Sequence, residues 1–237
     1  NNTPLVTVYI PTYNRLELLK RALNSVVNQT YKNLEIIVVD DNSTDGTQEF
    51  LSSFSKLDPR VNFILKEKNS GACVSRNLAI DRASGLFITG LDDDDYFSPD
   101  RIEHLINKSH LLSEYVFLYT YYLTVIAGGK YKKVRYLNLM LPKKITAKDL
   151  LHKNIIGNQC FTYTERLRDA GKFSPDMPAW QDMELFYRLL TYSELNKAYL
   201  INIPLYYQDT SHDKNRITLS NKQKIYSAFE LFCQKNN

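Results

Sequence analysis

Four short apolar runs in the first hundred residues are separated by three stretches of helical spacing, and that alternation leaves few folds open. Residues 5–10, 34–39, 61–65 and 86–91 read as strands. Between them, residues 16–27 carry Leu16, Leu19, Leu23, Val26 and Val27 at helical intervals. Ser43-Thr44-Asp45 offers N-cap chemistry for a helix through Phe54, and residues 71–83 form a third helix. Strands alternating with helices imply a parallel sheet covered on both faces, an α/β fold. In such sheets ligands gather at the carboxyl ends of the strands. The polar words fall there: Pro11-Thr12-Tyr13-Asn14, where Pro11 is expected to stop the first strand, then Asp40-Asp41-Asn42, then Asp92-Asp93-Asp94-Asp95.

The four consecutive aspartates follow the buried strand at 86–91, with Gly90 inside it where another group can approach closely. Like charges so close repel, and a cation relieves the repulsion. Carboxylate oxygens suit Mg²⁺ or Mn²⁺, and such an ion can stabilise a diphosphate as a leaving group. The competing explanations are a solvated acidic loop or a helix N-terminus that welcomes negative charge, since Ser98-Pro99-Asp100 looks like a helix start.

The second half changes character. A strand within residues 115–127 turns at Gly128-Gly129 into a basic hairpin arm. Thr146 caps a helix at 147–152, residues 161–164 are strand-like, and 183–190 are helical. A short strand follows at 205–207, then an amphipathic helix at 221–232 with Ile225, Phe229 and Phe232 on one stripe. At 237 residues and 43% hydrophobic content the chain has material for one large core. A net charge of +4 is not the footprint of a nucleic-acid binder. Cys73, Cys160 and Cys233 show neither zinc spacing nor a disulfide framework, which points to a reducing compartment such as the cytoplasm. The apolar stretch at 115–127 is too short to span a bilayer. The chain starts at Asn1 without Met, so a trimmed chain is expected, and no signal peptide is visible.

Taken together the words resemble the inverting GT-A glycosyltransferases of family 2. They are Ile10-Pro11-Thr12-Tyr13-Asn14-Arg15, Val38-Val39-Asp40-Asp41-Asn42-Ser43-Thr44-Asp45, Asn69-Ser70-Gly71 through Arg76-Asn77, Leu91-Asp92-Asp93-Asp94-Asp95-Tyr96, and Trp180-Gln181-Asp182-Met183-Glu184-Leu185. Their order and spacing over residues 5–210 carry the resemblance. It implies a GT-A, Rossmann-like nucleotide-binding sheet with helices on both faces, fused to a smaller acceptor-binding α+β half. The division expected is 1–115 for the nucleotide-sugar half and 116–237 for the acceptor half, within one continuous domain.

The resemblance also implies roles. Pro11 and Tyr13 belong to the donor site, where the Tyr13 ring could stack on a flat base or be an ordinary loop tyrosine. Asp41 reads uracil. Arg76 reaches the diphosphate or the base; otherwise it is a solvated surface arginine. Asp94 is the metal ligand, Asp92 and Asp93 lie towards the ribose and donor sugar, and Asp95 orients the loop or begins the helix. All four positions are acidic here, where the family usually has one non-acidic residue. Asp182 is the general base that takes the acceptor proton, pointing from its helix start into the cleft; the alternative is that it only caps that helix, and Glu184 is the runner-up. His212 meets the metal or the diphosphate, or is a surface loop histidine. Lys214 and Arg216 could close over phosphates.

The function implied is transfer of a hexose or N-acetylhexosamine from a UDP-sugar to a hydroxyl of a glycan acceptor, with lipid-linked acceptors frequent in the family. The cofactor is Mn²⁺ or Mg²⁺. The basic hairpin, Lys143-Lys144 and the last helix raise peripheral contact with the inner face of the plasma membrane, against the simpler expectation that the apolar stripe packs on the domain. Two other functions share parts of this pattern: a nucleotidyltransferase, which would carry an early Gly-rich phosphate loop absent from residues 11–15, and a non-catalytic glycan-binding protein on the same fold.

Overall fold

The four apolar runs form strands in a computed structural model that describes residues 3–127, 130–132, 142–152, 154–157, 159–212 and 222–236. They are β1 (Val6–Thr12), β2 (Leu34–Asp40), β3 (Val61–Leu65) and β4 (Phe87–Gly90), interleaved with helices α1 (Leu16–Val27), α2 (Thr47–Leu57) and α3 (Ala72–Arg82). All pair in parallel, with β1 between β2 and β4. Pro11 does not end β1. The backbone of Tyr9 faces β4, accepting from the Leu91 amide, so Pro11 faces the same side. β4 runs out at Gly90, opposite Tyr9, so no ladder donor is needed from residue 11. β1 therefore continues to Thr12.

The α2 helix begins at Thr47, later than the capping triplet suggested. Asp45 still does the capping: one carboxylate oxygen accepts from the Thr47 amide and hydroxyl, the other from the Leu16 amide at the start of α1.

The sheet is mixed beyond β4. β5 (Tyr96–Phe97) follows the aspartates, then α4 (Arg101–Asn107) and a 3₁₀ turn at Ser109–Ser113. The remaining elements are β6 (Leu118–Ile126), β7 (Lys130–Lys132), β8 (Lys144–Ile145), α5 (Ala147–His152), β9 (Phe161–Tyr163), α6 (Thr164–Asp169), α7 (Gln181–Tyr192), β10 (Ala198–Asp209) and α8 (Lys222–Lys235). The strand order is β3-β2-β1-β4-β9-β6-β10-β5, with β7 on β6 and β8 on β10. β9 runs antiparallel to β4 and β6, whereas β6 and β10 are parallel. The expected hairpin exists as the antiparallel pair β6–β7; Gly128-Gly129 lies outside the described residues. The expected short strand at 205–207 is the second half of β10, whose register against β6 shifts around Pro204.

Alternate residues of the strands feed two cores. Val6, Val8, Ile10, Ile36 and Val38 pack with α1, α2 and α4. Tyr9, Ile37, Val39 and Ile88 pack with α3, α5, α6 and α7. Helices thus cover both faces. The α8 helix rests on the start of α7 through Ala228 and Phe232, with Phe232 against Tyr187 at 5.0 Å. Of the expected stripe, Phe232 is buried and Phe229 is exposed.

Candidate active site

Every polar word sits at the carboxyl edge of the parallel strands, because parallel pairing brings the ends of β1, β2 and β4 to one side. Thr12, the last residue of β1, donates its hydroxyl to Asp93 at 2.9 Å. Arg15, opening α1, bridges Asp93 at 3.0 Å and Asp94 at 3.2 Å. Arg21, one and a half turns on, donates to the Asp94 carbonyl and to the Asp209 carboxylate, and stacks on Tyr96 at 4.8 Å. The acidic run is therefore held against α1 by two arginines.

The four aspartates face different ways. Carboxylate oxygens of Asp92, Asp94 and Asp95 lie within 4.8 Å of one another, a set of hard donors that fits a divalent cation. Asp93 is outside this trio; it is 5% exposed, and burial pushes its carboxyl up to about 6 against the pull of Arg15. Asp95 is buried, accepting from the Tyr206 hydroxyl at 2.7 Å and the Asp209 amide at 2.8 Å. Burial, then the charges of Asp94 and Asp92, hold its carboxyl well above the usual range. It clamps the loop to β10 while offering an oxygen to the trio. His212, just past β10, places Nε2 3.4 Å from Asp94, and both ring nitrogens are shielded from solvent without a hydrogen-bond partner among the described residues. An imidazole beside the trio, its nitrogens without a hydrogen bond among the described residues, fits a metal ligand. Lys214 and Arg216 lie outside the described residues.

Asp92 leads away from the trio. Arg76, on α3, donates to it at 2.9 Å and to Gln181 at 3.3 Å, and lies over Phe173 at 5.1 Å. Arg76 is 7% exposed, so it is not a solvated surface residue. Gln181 opens α7 and the next residue is Asp182. Trp180, immediately before the helix, holds the left-handed conformation at φ 58°, an unusual backbone for an aromatic residue, with its ring against Phe229 of α8. Asp182 is in the first helical turn, with Oδ1 shielded from water and unpartnered among the described residues. Burial raises its carboxyl to about 7; Arg76 opposes this and Asp92 reinforces it. Glu184 is fully buried and bound to Arg188 at 2.6 Å and to Ser174 at 2.9 Å, which accounts for its charge within the fold.

Gly90 explains how the strand end closes. A Cβ there would sit 2.2 Å from Gln159 Oε1 and 2.4 Å from the Tyr9 ring. The close approach expected at this glycine is thus by two side chains of the protein, and it lets Gln159 reach Asp92 at 3.4 Å.

On the other side, Asp41 accepts from the Ser70 amide at 2.9 Å, the Gly71 amide at 2.8 Å and Lys66. A carboxylate has about four acceptor sites, so three donors leave one open. Asp40 instead receives the Ser43 amide at 3.0 Å and Gln48 at 3.1 Å. Tyr13 is 46% exposed at the β1 end, its ring available, whereas Pro11 is buried within the strand. Arg15 stood in its motif word without a role, and Arg21 and Gln159 were not singled out from the sequence: an arginine on a helix and a lone glutamine carry no motif until the partner strands are in place.

A family model for glycosyl transferase family 2 matches residues 7–168. A protein of Escherichia coli (strain K12) named for colanic acid biosynthesis, glycosyl transferase WcaA, is 36% identical over 238 residues, 99% of this chain and 82% of that protein. One of Bacillus subtilis (strain 168) named for teichuronic acid biosynthesis, glycosyltransferase TuaG, is 33% identical over 192 residues, 80% of this chain and 73% of that protein. Among solved structures, S. aureus TarS 1–349 in complex with UDP-GlcNAc superposes with a TM-score of 0.76 at 19% identity, over 97% of this chain and 66% of that one. The last likeness is one of fold.

Proposed function

Since the chain belongs to glycosyl transferase family 2, and is a glycosyltransferase of GT-A fold, we propose that it moves a hexose or N-acetylhexosamine from a UDP-sugar to a hydroxyl of a glycan, with inversion. The observation that carries this is the line from the Asp92–Asp94–Asp95 trio through Arg76 to Asp182. A donor-holding acidic site is paired with Arg76 through Asp92, and a half-buried carboxylate with one unpartnered oxygen, Asp182, feels the charge of the same arginine.

In this reading Asp41 keeps its open acceptor site for the N3–H of uracil, and the Tyr13 ring covers the base. Pro11 contributes only the end of β1. Asp93, fixed by Thr12 and Arg15, faces the ribose. Asp92, Asp94 and Asp95 with His212 would hold Mn²⁺ or Mg²⁺, which when bound offsets the negative charge of the departing diphosphate. Arg15 and Arg21 keep the carboxylates in place whether or not the cation is there. Asp182 takes the proton from the acceptor hydroxyl as that oxygen attacks the anomeric carbon opposite the leaving group, so a β-linkage forms in one displacement. A carboxyl near 7 is matched to that task at neutral pH.

Residues 1–115 make the nucleotide-sugar half and 116–237 the acceptor half. The acceptor is a growing bacterial surface glycan, lipid-linked and met in the cytoplasm at the inner face of the plasma membrane. Exposed Tyr226 and Phe229 on α8 support peripheral contact there. No helix among the described residues is long and apolar enough to cross a membrane.

The test is UDP release from a panel of UDP-sugars, with and without Mn²⁺, by the wild type and Asp94→Ala. Metal-dependent release from one donor, lost in the variant, supports the proposal. Metal-dependent UDP binding with no release from any donor, even with glycan acceptors present, would sink it in favour of a binding protein.

A further inference from the structure

Arg101 opens α4 but its side chain leaves the helix and runs under the sheet, where it is 1% exposed. Its guanidinium donates to the Thr120 hydroxyl and lies against two rings, Phe97 at 4.7 Å and Tyr206 at 5.3 Å. Its Nε is buried without a partner, and no carboxylate is paired with it among the described residues. Burial lowers its pKa to about 10, which still leaves it charged at neutral pH. Every other arginine of the site has an anion: Arg15 has Asp93 and Asp94, Arg21 has Asp209, and Arg76 has Asp92. An uncompensated buried cation is costly, and such charges are normally paired.

The guanidinium borders a narrow cleft whose other walls include Gln159, Gln208, Tyr122 and Gly157. Free space there suits about one oxygen atom, so a single carboxylate oxygen fits and a sugar ring does not. Gln159 is 4% exposed; its Oε1 is buried and unpartnered, while its amide nitrogen reaches Asp92. The cleft thus adjoins the trio on the side where Arg76 leads to Asp182, the region in which donor sugar and acceptor meet.

We propose that this cleft reads a carboxylate carried by a sugar. One oxygen of a uronyl group enters to meet Arg101. The placement of donor and acceptor rests on the glycosyltransferase reading above. The uronyl group could belong to either substrate, and its chemistry is the same.

Two matched pairs separate the sources. Calorimetry with Mn²⁺ compares UDP-glucuronate with UDP-glucose for the donor. Saturation-transfer NMR compares methyl β-glucuronide with methyl β-glucoside for the acceptor, with and without UDP. A charge-assisted bond in a buried site predicts at least about tenfold preference for the uronyl member of one pair. Arg101→Gln removes that preference with UDP affinity unchanged. Gln208→Glu leaves Arg101 in place but adds a competing carboxylate at the cleft, so it removes the preference even if Arg101→Gln fails to fold. A wild type indifferent within both pairs overturns the inference and leaves water as the occupant. So does a preference that survives Gln208→Glu. If UDP does not bind at all, the nucleotide-sugar reading fails, while the glycoside pair without UDP still decides the role of Arg101.

Discussion

Asp182 shows how a single side chain takes its chemistry from its neighbours. Its sequence context marks only an acidic residue at a helix start; burial, Arg76 and Asp92 make it a carboxyl near 7. In the proposed role of base it must be ionised, so kcat should rise with pH through an apparent pKa near 7 and level off above it. Asp182→Asn should lower kcat by about 10²–10⁴-fold while UDP-sugar affinity stays within about twofold, read by steady-state kinetics and calorimetry. The same burial has a stability consequence of fixed sign. The folded pKa lies above that of the unfolded chain, so the native state loses stability as pH rises from about 4 through 7. Asp182→Asn should therefore melt higher than the wild type at pH 8, by roughly 2–4 °C for each kcal/mol recovered, with the gap closing at pH 4. A gap that widens on acidification would contradict this. The aspartate run was legible from charge density alone, yet its internal division was not. Which of the four faces the trio depends on Thr12, Arg15 and Tyr206, the last of them 111 residues away from Asp95.

Elements of the first half were legible because each carries its own period and its own stop. β2, β3 and α3 appear where apolar spacing put them. β1 overran its expected end because a proline is harmless where the neighbouring strand has finished, a fact that belongs to β4. β10 was largely missed beyond residues 205–207, since Asn202 and Pro204 interrupt its apolar run while its pairing partner lies some eighty residues upstream. The glycine of β4 was read correctly as a point of close approach, and it gives a sharp prediction. Gly90→Ala places a methyl group against Gln159 Oε1 and the Tyr9 ring, so these side chains must shift to admit it. It should cost about 1–3 kcal/mol in urea unfolding and displace Gln159 from Asp92, weakening turnover more than the stability loss explains.

The whole molecule is one sheet whose two ends differ. The β3–β4 side is purely parallel and built from local β-α-β steps. The far side joins strands separated by many residues, with β10 sewn between β6 and β5. The acidic trio lies on the seam, so a ligand bound there should stabilise the entire fold. Mn²⁺ at about 100 times its Kd should add about 2.7 kcal/mol, seen as a raised Tm for the wild type and not for Asp94→Ala; chelation should reverse it. The seam also orders events during synthesis. Asp95 leaves the ribosome 111 residues ahead of Tyr206 and 114 ahead of Asp209, the two groups that hold its carboxylate. A nascent chain halted before residue 198 carries all four aspartates of the run but lacks the β10 groups that hold Asp95, so the trio should take its native arrangement only once β10 has been delivered. Chains truncated before β10 should therefore be inert from the start, turning over no donor.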